Sequence, residues 1–294
     1  MDLDGLTGDG REFSAGKATH KNRARYDLRN LLIGSEGTLA VFSSMTLKLI
    51  PKPEGRILFL AFFRDLHDAA SMVNTLLHRG VLPSSVEFMD EGTIRAVDQH
   101  AKMGLPIDYQ ALLLIEIDGR HDELPAMQKR VEDCLKPIAA EIRVATDPAE
   151  QEKLWEVRRK ASPAMRRFGN KKLNEDIVVP RKYIPTAIGG LKHVATRHRL
   201  NILSFGHIGD GNIHVNIMFD GNNPDETSRA ELAVHDIFDL VNSVGGAISG
   251  EHGIGIAKKK YLPKNVDSTS YDLMRSIKHD FDPNGVLNPL KIFL

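Results

Sequence analysis

Cysteine is almost missing from this chain: Cys134 is the one thiol among 294 residues. A lone thiol excludes an internal disulfide framework, and equally an iron–sulfur cluster or cysteine-ligated zinc built by this chain alone. Net charge is missing too, with 39 basic side chains against 39 acidic ones. A nucleic-acid binder would show a basic excess or stripe, so that class is set aside. The longest apolar runs, 57–63 and 111–115, fall far short of the ~20 residues of a membrane helix. No charged-then-apolar leader opens the sequence, which reads against a secretory signal. There is no internal repeat, and no Gly-x-Gly-x-x-Gly follows a strand, so no dinucleotide-binding loop is present. What remains, 41% hydrophobic and 27% charged, is the composition of a soluble globular chain. At about 100–200 residues per domain it makes one large unit or two ordinary ones.

The opening residues, 1–24, are rich in Gly, Asp and Lys and read as a hairpin or loop. Asp27 is placed to cap a short helix over 28–33, which Gly34 ends. Segments 37–42 and 46–50 read as strands, closed by Pro51-Lys52-Pro53, which suits a domain boundary. Beyond it the periodicity alternates. Strands are predicted over 56–63, 84–89, 111–117 and 142–144, and helices over 66–79, 91–101 and 123–140. That alternation predicts an α+β layer close to the ferredoxin-like arrangement. A charged helix follows from Pro148 towards Phe168, interrupted near Pro163. Then come helix 183–198, strands 201–207 and 213–219, helix 226–244, a glycine-studded stretch at 249–255 and a last helix over 270–280.

Residues 206–216 read Gly-His-Ile-Gly-Asp-Gly-Asn-Ile-His-Val-Asn. Asp210-Gly211 suits a tight turn, and Ile213, Val215, Ile217 and Phe219 alternate to one face. His214 and Asn216 then share the opposite face, and His207 lies across the turn from His214. Two imidazoles at a hairpin mouth are able to share a divalent metal; the plainer alternative is two ordinary polar residues on a partly exposed strand. Glu251, flanked by Gly250, Gly253 and Gly255, is the best third ligand, against the alternative of a solvated loop acid. Two His and one carboxylate leave positions open, as at a catalytic metal. His252 beside them would serve as general base.

Four motifs carry a family resemblance: Asp-Leu-Arg-Asn-Leu-Leu-Ile-Gly-Ser-Glu-Gly-Thr-Leu at 27–39, the stretch 206–214, Ser-Gly-Glu-His-Gly-Ile-Gly at 249–255, and 282–291. In this order they resemble the FAD-linked 2-hydroxy-acid dehydrogenases and oxidases, of the vanillyl-alcohol-oxidase group. The resemblance implies an α+β protein with a partial PCMH-type FAD-binding subdomain, 1–53, followed by a ferredoxin-like FAD-oxidase C-terminal domain, 54–294. It implies FAD as cofactor and a divalent metal, zinc or manganese, on His207, His214 and Glu251. His252 would take the substrate hydroxyl proton, Arg158 would hold the substrate carboxylate, and Asn216 would help orient it. Glu36, Gly37 and Val41 would line FAD, with Asn288 close to the flavin.

The implied activity is oxidation of a small D-2-hydroxy acid, glycolate or D-lactate, to the 2-oxo acid by metal-assisted hydride transfer to flavin. Asn174 stands where hydroxyglutarate enzymes of the family carry a lysine, which favours a monocarboxylate. The half-domain with the FAD pyrophosphate loop precedes this region in the family. The chain is therefore expected to be a C-terminal portion needing a separate FAD-binding half, with an electron-transfer subunit as a further partner. The expected location is cytoplasmic, with attachment to the inner membrane through a partner as a variant. Two rival readings are a zinc hydrolase, which lacks its His-Glu-x-x-His helix here, and a non-enzymatic remnant that keeps only the metal.

Overall fold

A computed structural model describes residues 2–19, 21 and 24–293. Met1, His20, Asn22, Arg23 and Leu294, within the expected opening hairpin and at the chain ends, lie outside the described residues. The chain forms two compact units, Met1–Lys52 with Glu251–Leu294, and Pro53–Gly250.

The first unit begins with β1 (Asp2–Thr7), β2 (Glu12–Gly16), α1 (Leu28–Leu32) and β3 (Ala40–Thr46). β1 lies between β2 and β3, antiparallel to both. Asp27 caps α1 by accepting from Asn30 N at 3.2 Å, as its position in the sequence predicts. Two strands were expected over 37–50, and one is found. It ends at Thr46, and Leu47, Leu49 and Ile50 run on outside any strand and exposed.

The second unit holds β4 (Gly55–Phe63), α2 (Leu66–His78), β5 (Ser85–Asp90), α3 (Glu91–Ala101), β6 (Ala111–Gly119), α4 (Leu124–Leu135) and β7 (Glu141–Ala145). After these come α5 (Pro148–Arg159), α6 (Ala161–Ala164), β8 (Lys171–Val178), α7 (Ile184–His198), β9 (Asn201–His207), β10 (Asn212–Phe219) and α8 (Pro224–Ser243). The strands form one sheet in the order β7-β4-β6-β5-β9-β10-β8, with every neighbouring pair antiparallel. Its first four strands have the ferredoxin-like order, with α3 inserted between β5 and β6. β4 lies inside the sheet, between β7 and β6, and its residues Leu58 to Phe63 are apolar without a break and fully buried. The charged helix is interrupted where Pro163 predicts: α5 ends at Arg159, α6 is one turn, and a 3₁₀ turn completes the segment.

β8 was not legible as a strand. Its sequence Lys-Lys-Leu-Asn-Glu-Asp-Ile-Val is largely charged, which suits a strand at the sheet edge. β10, by contrast, is buried along its whole length. Ile213, Val215 and Ile217 share one face, as expected. The face of His214 and Asn216 is covered as well: Leu203, Phe205 and Met218 on that side join a core with Met89, Ala161 and Met165.

The chain closes in the first unit with α9 (Leu262–Asn265) and α10 (Ser268–Phe281). Ile277 and Phe281 of α10 pack against buried Leu3, Ala15, Leu32, Leu39 and Ala40. Asp282 accepts from Val286 N at 3.0 Å and Leu287 N at 2.9 Å and pairs with Lys278, which folds the Asp-Pro-Asn-Gly stretch back on the helix. Residues 251–294 pack with 1–52 in this first unit.

Candidate functional site

The turn between β9 and β10 is shaped by contacts to its neighbours. Gly209 N donates to Val86 O at 3.2 Å, and Val179 N donates to Gly211 O at 3.1 Å. Gly211 has φ +88°, and a Cβ there would stand 2.2 Å from Val179 O, so the position admits only glycine. The turn sets His207 and His214 with ring centroids 5.3 Å apart, edge to face. His214 is buried and lies across from Phe205 on β9 and Asp176 on β8.

Asp176 is fully buried and accepts from Asn212 Nδ2 at 2.8 Å and Gly250 N at 2.8 Å. It therefore fixes the end of the second unit against the hairpin. Gly250 must be glycine, since a Cβ would lie 2.0 Å from Asn212 Nδ2. Glu251 is the next residue, and one ligand atom from each of His207, His214 and Glu251 lies within 4.8 Å of the others. His252 has Nε2 3.7 Å from Glu251 Oε1, with 46% of its side chain exposed.

Glu87 on β5 was not singled out by the sequence. It pairs in register with His207, and only 3% of it is exposed. Oε1 lies 2.6 Å from His207 Nδ1, and Oε2 accepts from Arg158 Nε at 2.5 Å. A lone acid between Val86 and Phe88 in an apolar strand was the available signal. Arg158 is thus distinguished from Arg159, Arg166 and Arg167 nearby: it is 15% exposed, and its Cζ sits 4.5 Å from the centroid of the Phe205 ring. His207 and Glu87 also border a cavity of about 290 Å³, lined too by Ser84, Ser85, Arg181 and Asp210.

Asn216 faces Asn174 across β8 and Leu203 across β9, and is fully buried. Its Oδ1 is buried with no hydrogen-bond partner among the described residues, an unsatisfied acceptor on the face that carries His214. Asp90, which ends β5, accepts from Thr93 N at 2.8 Å and Ser204 N at 2.5 Å and ties α3 to β9. Burial pushes its carboxyl up to about 6.

The residues expected near FAD lie in the first unit. Glu36, at φ +53°, turns its carboxylate onto the backbone: Ile254 N and Gly255 N each donate to it at 2.7 Å. Asn288 Nδ2 donates to Glu36 O at 2.6 Å. A Cβ on Gly37 would meet that same nitrogen at 2.7 Å, and one on Gly253 would meet the Glu36 carboxylate at 2.6 Å. Gly253, next to His252, therefore serves a close approach to Glu36. Val41 is exposed.

With this geometry in view, the family described as FAD linked oxidases, C-terminal domain, matches residues 52–292. The chain belongs to that family. It is 35% identical to the glycolate oxidase subunit GlcD of Bacillus subtilis (strain 168), over 99% of this chain and 62% of the relative. It is 31% identical to the D-lactate dehydrogenase of Anaerostipes hadrus, over 94% of this chain and 60% of the relative. The chain thus spans about three-fifths of these relatives. Among solved structures, p-cresol methylhydroxylase with substrate bound superposes with a TM-score of 0.76 at 16% identity, covering 99% of this chain and 64% of that one. That likeness shows the fold. Among the described residues no helix is long and apolar enough to cross a membrane.

Proposed function

We propose that this chain carries the metal and substrate half of a flavoenzyme that oxidises a small D-2-hydroxy acid, glycolate or D-lactate, to the 2-oxo acid. The single observation that carries the reading is the approach of His207, His214 and Glu251 to within 4.8 Å of one another, a donor set of two imidazoles and a carboxylate. That set fits zinc or manganese and leaves coordination positions for substrate. His207, His214 and Glu251 would hold the cation. Glu36, Gly37, Val41 and Asn288 would line FAD, Glu36 through its backbone because its carboxylate is engaged by Ile254 and Gly255. When bound, the cation supplies Lewis acidity at the substrate hydroxyl and the flavin supplies the hydride acceptor.

Arg158 holds the substrate carboxylate with its terminal guanidinium nitrogens, since Nε is taken by Glu87. Asn216 offers Oδ1 as acceptor for orienting the same substrate. His252 accepts the hydroxyl proton, half exposed and so able to pass it to solvent. Asn174, opposite Asn216, brings no positive charge for a second carboxylate, which favours glycolate or D-lactate over a dicarboxylate.

A further reading, favoured by exposed Val41 and Met45 along β3, is that flavin is retained only with a separate FAD-binding half, and that electrons leave through a partner subunit. The expected location is cytoplasmic, free or held at the inner membrane by that partner. The reading is tested by anaerobic dye reduction with the zinc-loaded protein and FAD, with and without the FAD-binding half of a relative. Reduction with glycolate or D-lactate, and none with D-2-hydroxyglutarate, supports it. No reduction with any 2-hydroxy acid in either arrangement, while flavin is bound, overturns it.

A further inference from the structure

Glu87 is a carboxylate where the surroundings ask for none. It stands on β5 between Val86 and Phe88, faces Leu114 on one side and His207 on the other, and is 3% exposed. Two strand positions on, Met89 belongs to the buried core cluster, as does Leu114. Burying a carboxylate there is unfavourable unless partners compensate, and an apolar residue of similar volume would serve stability as well or better.

Its two oxygens are divided between two groups with separate tasks. Oε1 lies 2.6 Å from His207 Nδ1 and accepts from Ser85 Oγ at 3.1 Å. Oε2 accepts from Arg158 Nε at 2.5 Å. Arg158 Nε and Ser85 Oγ both donate to this carboxylate, so each of its oxygens stands as an acceptor. His207 must then place its proton on Nδ1, which leaves the Nε2 lone pair as its ligand atom.

We infer that Glu87 is a positioning residue: through one buried carboxylate it locks the metal-binding tautomer of His207 and holds Arg158 by its Nε edge, so that the cation and the substrate carboxylate are oriented by the same group. The inference rests on the proposed metal site and deepens it. It uses the known tendency of metal-bound imidazoles to donate their other N–H to a carboxylate, which fixes the ring and raises its basicity.

The test is zinc affinity of the full chain, measured by chelator competition on metal-free wild type, Glu87→Gln and Glu87→Asp, with thermal unfolding of each. Glutamine offers one acceptor oxygen, so it receives from Arg158 Nε or from a His207 Nδ1–H but not from both, and it lacks the charge. The expected result is about 10–100-fold weaker zinc binding for Glu87→Gln, with Glu87→Asp in between, while both variants remain folded at the assay temperature. Imidazole ¹⁵N NMR of metal-free wild type, which needs no variant to fold, is expected to show His207 as the Nδ1–H tautomer. Zinc affinity of folded Glu87→Gln within about twofold of wild type, or a His207 ring protonated on Nε2 alone, overturns the inference. Failure of wild type itself to bind zinc would instead overturn the metal site.

Discussion

The Glu36 carboxylate reaches across 218 residues of sequence to Ile254, and its two oxygens accept from the backbone nitrogens of Ile254 and Gly255 at 2.7 Å each. The contact joins the Ile-Gly-Ser-Glu-Gly stretch to the Gly-Glu-His-Gly-Ile-Gly stretch, two motifs that the sequence presents separately. It sets the backbone just beyond His252. Replacing Glu36 by Ala removes two charge-assisted hydrogen bonds and is expected to destabilise the Met1–Lys52 and Glu251–Leu294 unit by about 2–3 kcal/mol. Amide exchange at Ile254 and Gly255 in the variant measures it. Unchanged protection would show that the contact contributes nothing.

Metal binding and proton transfer separate by substitution. His214→Ala removes a proposed ligand and should weaken zinc binding more than about 100-fold. His252→Ala should leave zinc affinity within about threefold while lowering turnover of the flavin-loaded enzyme by about 10²–10⁴. Zinc titrations and single-turnover flavin reduction, made on both variants, give the two readouts. A His252→Ala protein that loses zinc as His214→Ala does would make His252 a ligand.

Asp176 holds the backbone that leads into Glu251. In Asp176→Ala the Asn212 amide and Gly250 N lose their buried acceptor, a loss of about 2–4 kcal/mol. Because Gly250 precedes Glu251, zinc affinity should fall as well. Urea unfolding and zinc competition measure the pair, and a stability loss without any change in zinc affinity would detach Asp176 from the site.

Asp90 predicts a pH dependence of a particular sign. Burial raises its carboxyl from 3.8 to about 6, so the folded chain holds that proton more tightly than the unfolded one. Its contribution to stability is therefore full below about pH 4 and is lost as pH rises through about 6, amounting to about 3 kcal/mol at most. Asp90→Asn should remove that decline. Urea midpoints of wild type and variant at pH 4.5 and pH 7 check it; a wild type gaining stability over this interval relative to the variant contradicts it.

Much of the second unit was legible because its periodicity is simple. The unbroken apolar β4, the periodic helices α2 and α3, and the Pro163 interruption of the charged helix all follow from local sequence. So did the His207 and His214 hairpin, because glycine at 211 and the alternation after it leave one geometry. What was not legible depends on distant partners. β8 reads as a polar segment until β10 lies beside it, and β3 ends at Thr46 although the apolar alternation runs on to Ile50. Glu87 acquires its meaning only from His207, 120 residues away, and Arg158, 71 away. The packing of 251–294 with 1–52 depends on contacts such as Glu36 with Gly255, which no local pattern announces.

The most direct measurement is an anomalous difference map at the zinc absorption edge from zinc-loaded crystals of the chain. The account predicts a single peak bounded by His207 Nε2, a His214 ring nitrogen and a Glu251 carboxylate oxygen, each at ~2.0–2.2 Å. A peak seated elsewhere, or zinc bound without one of these three side chains, would contradict it.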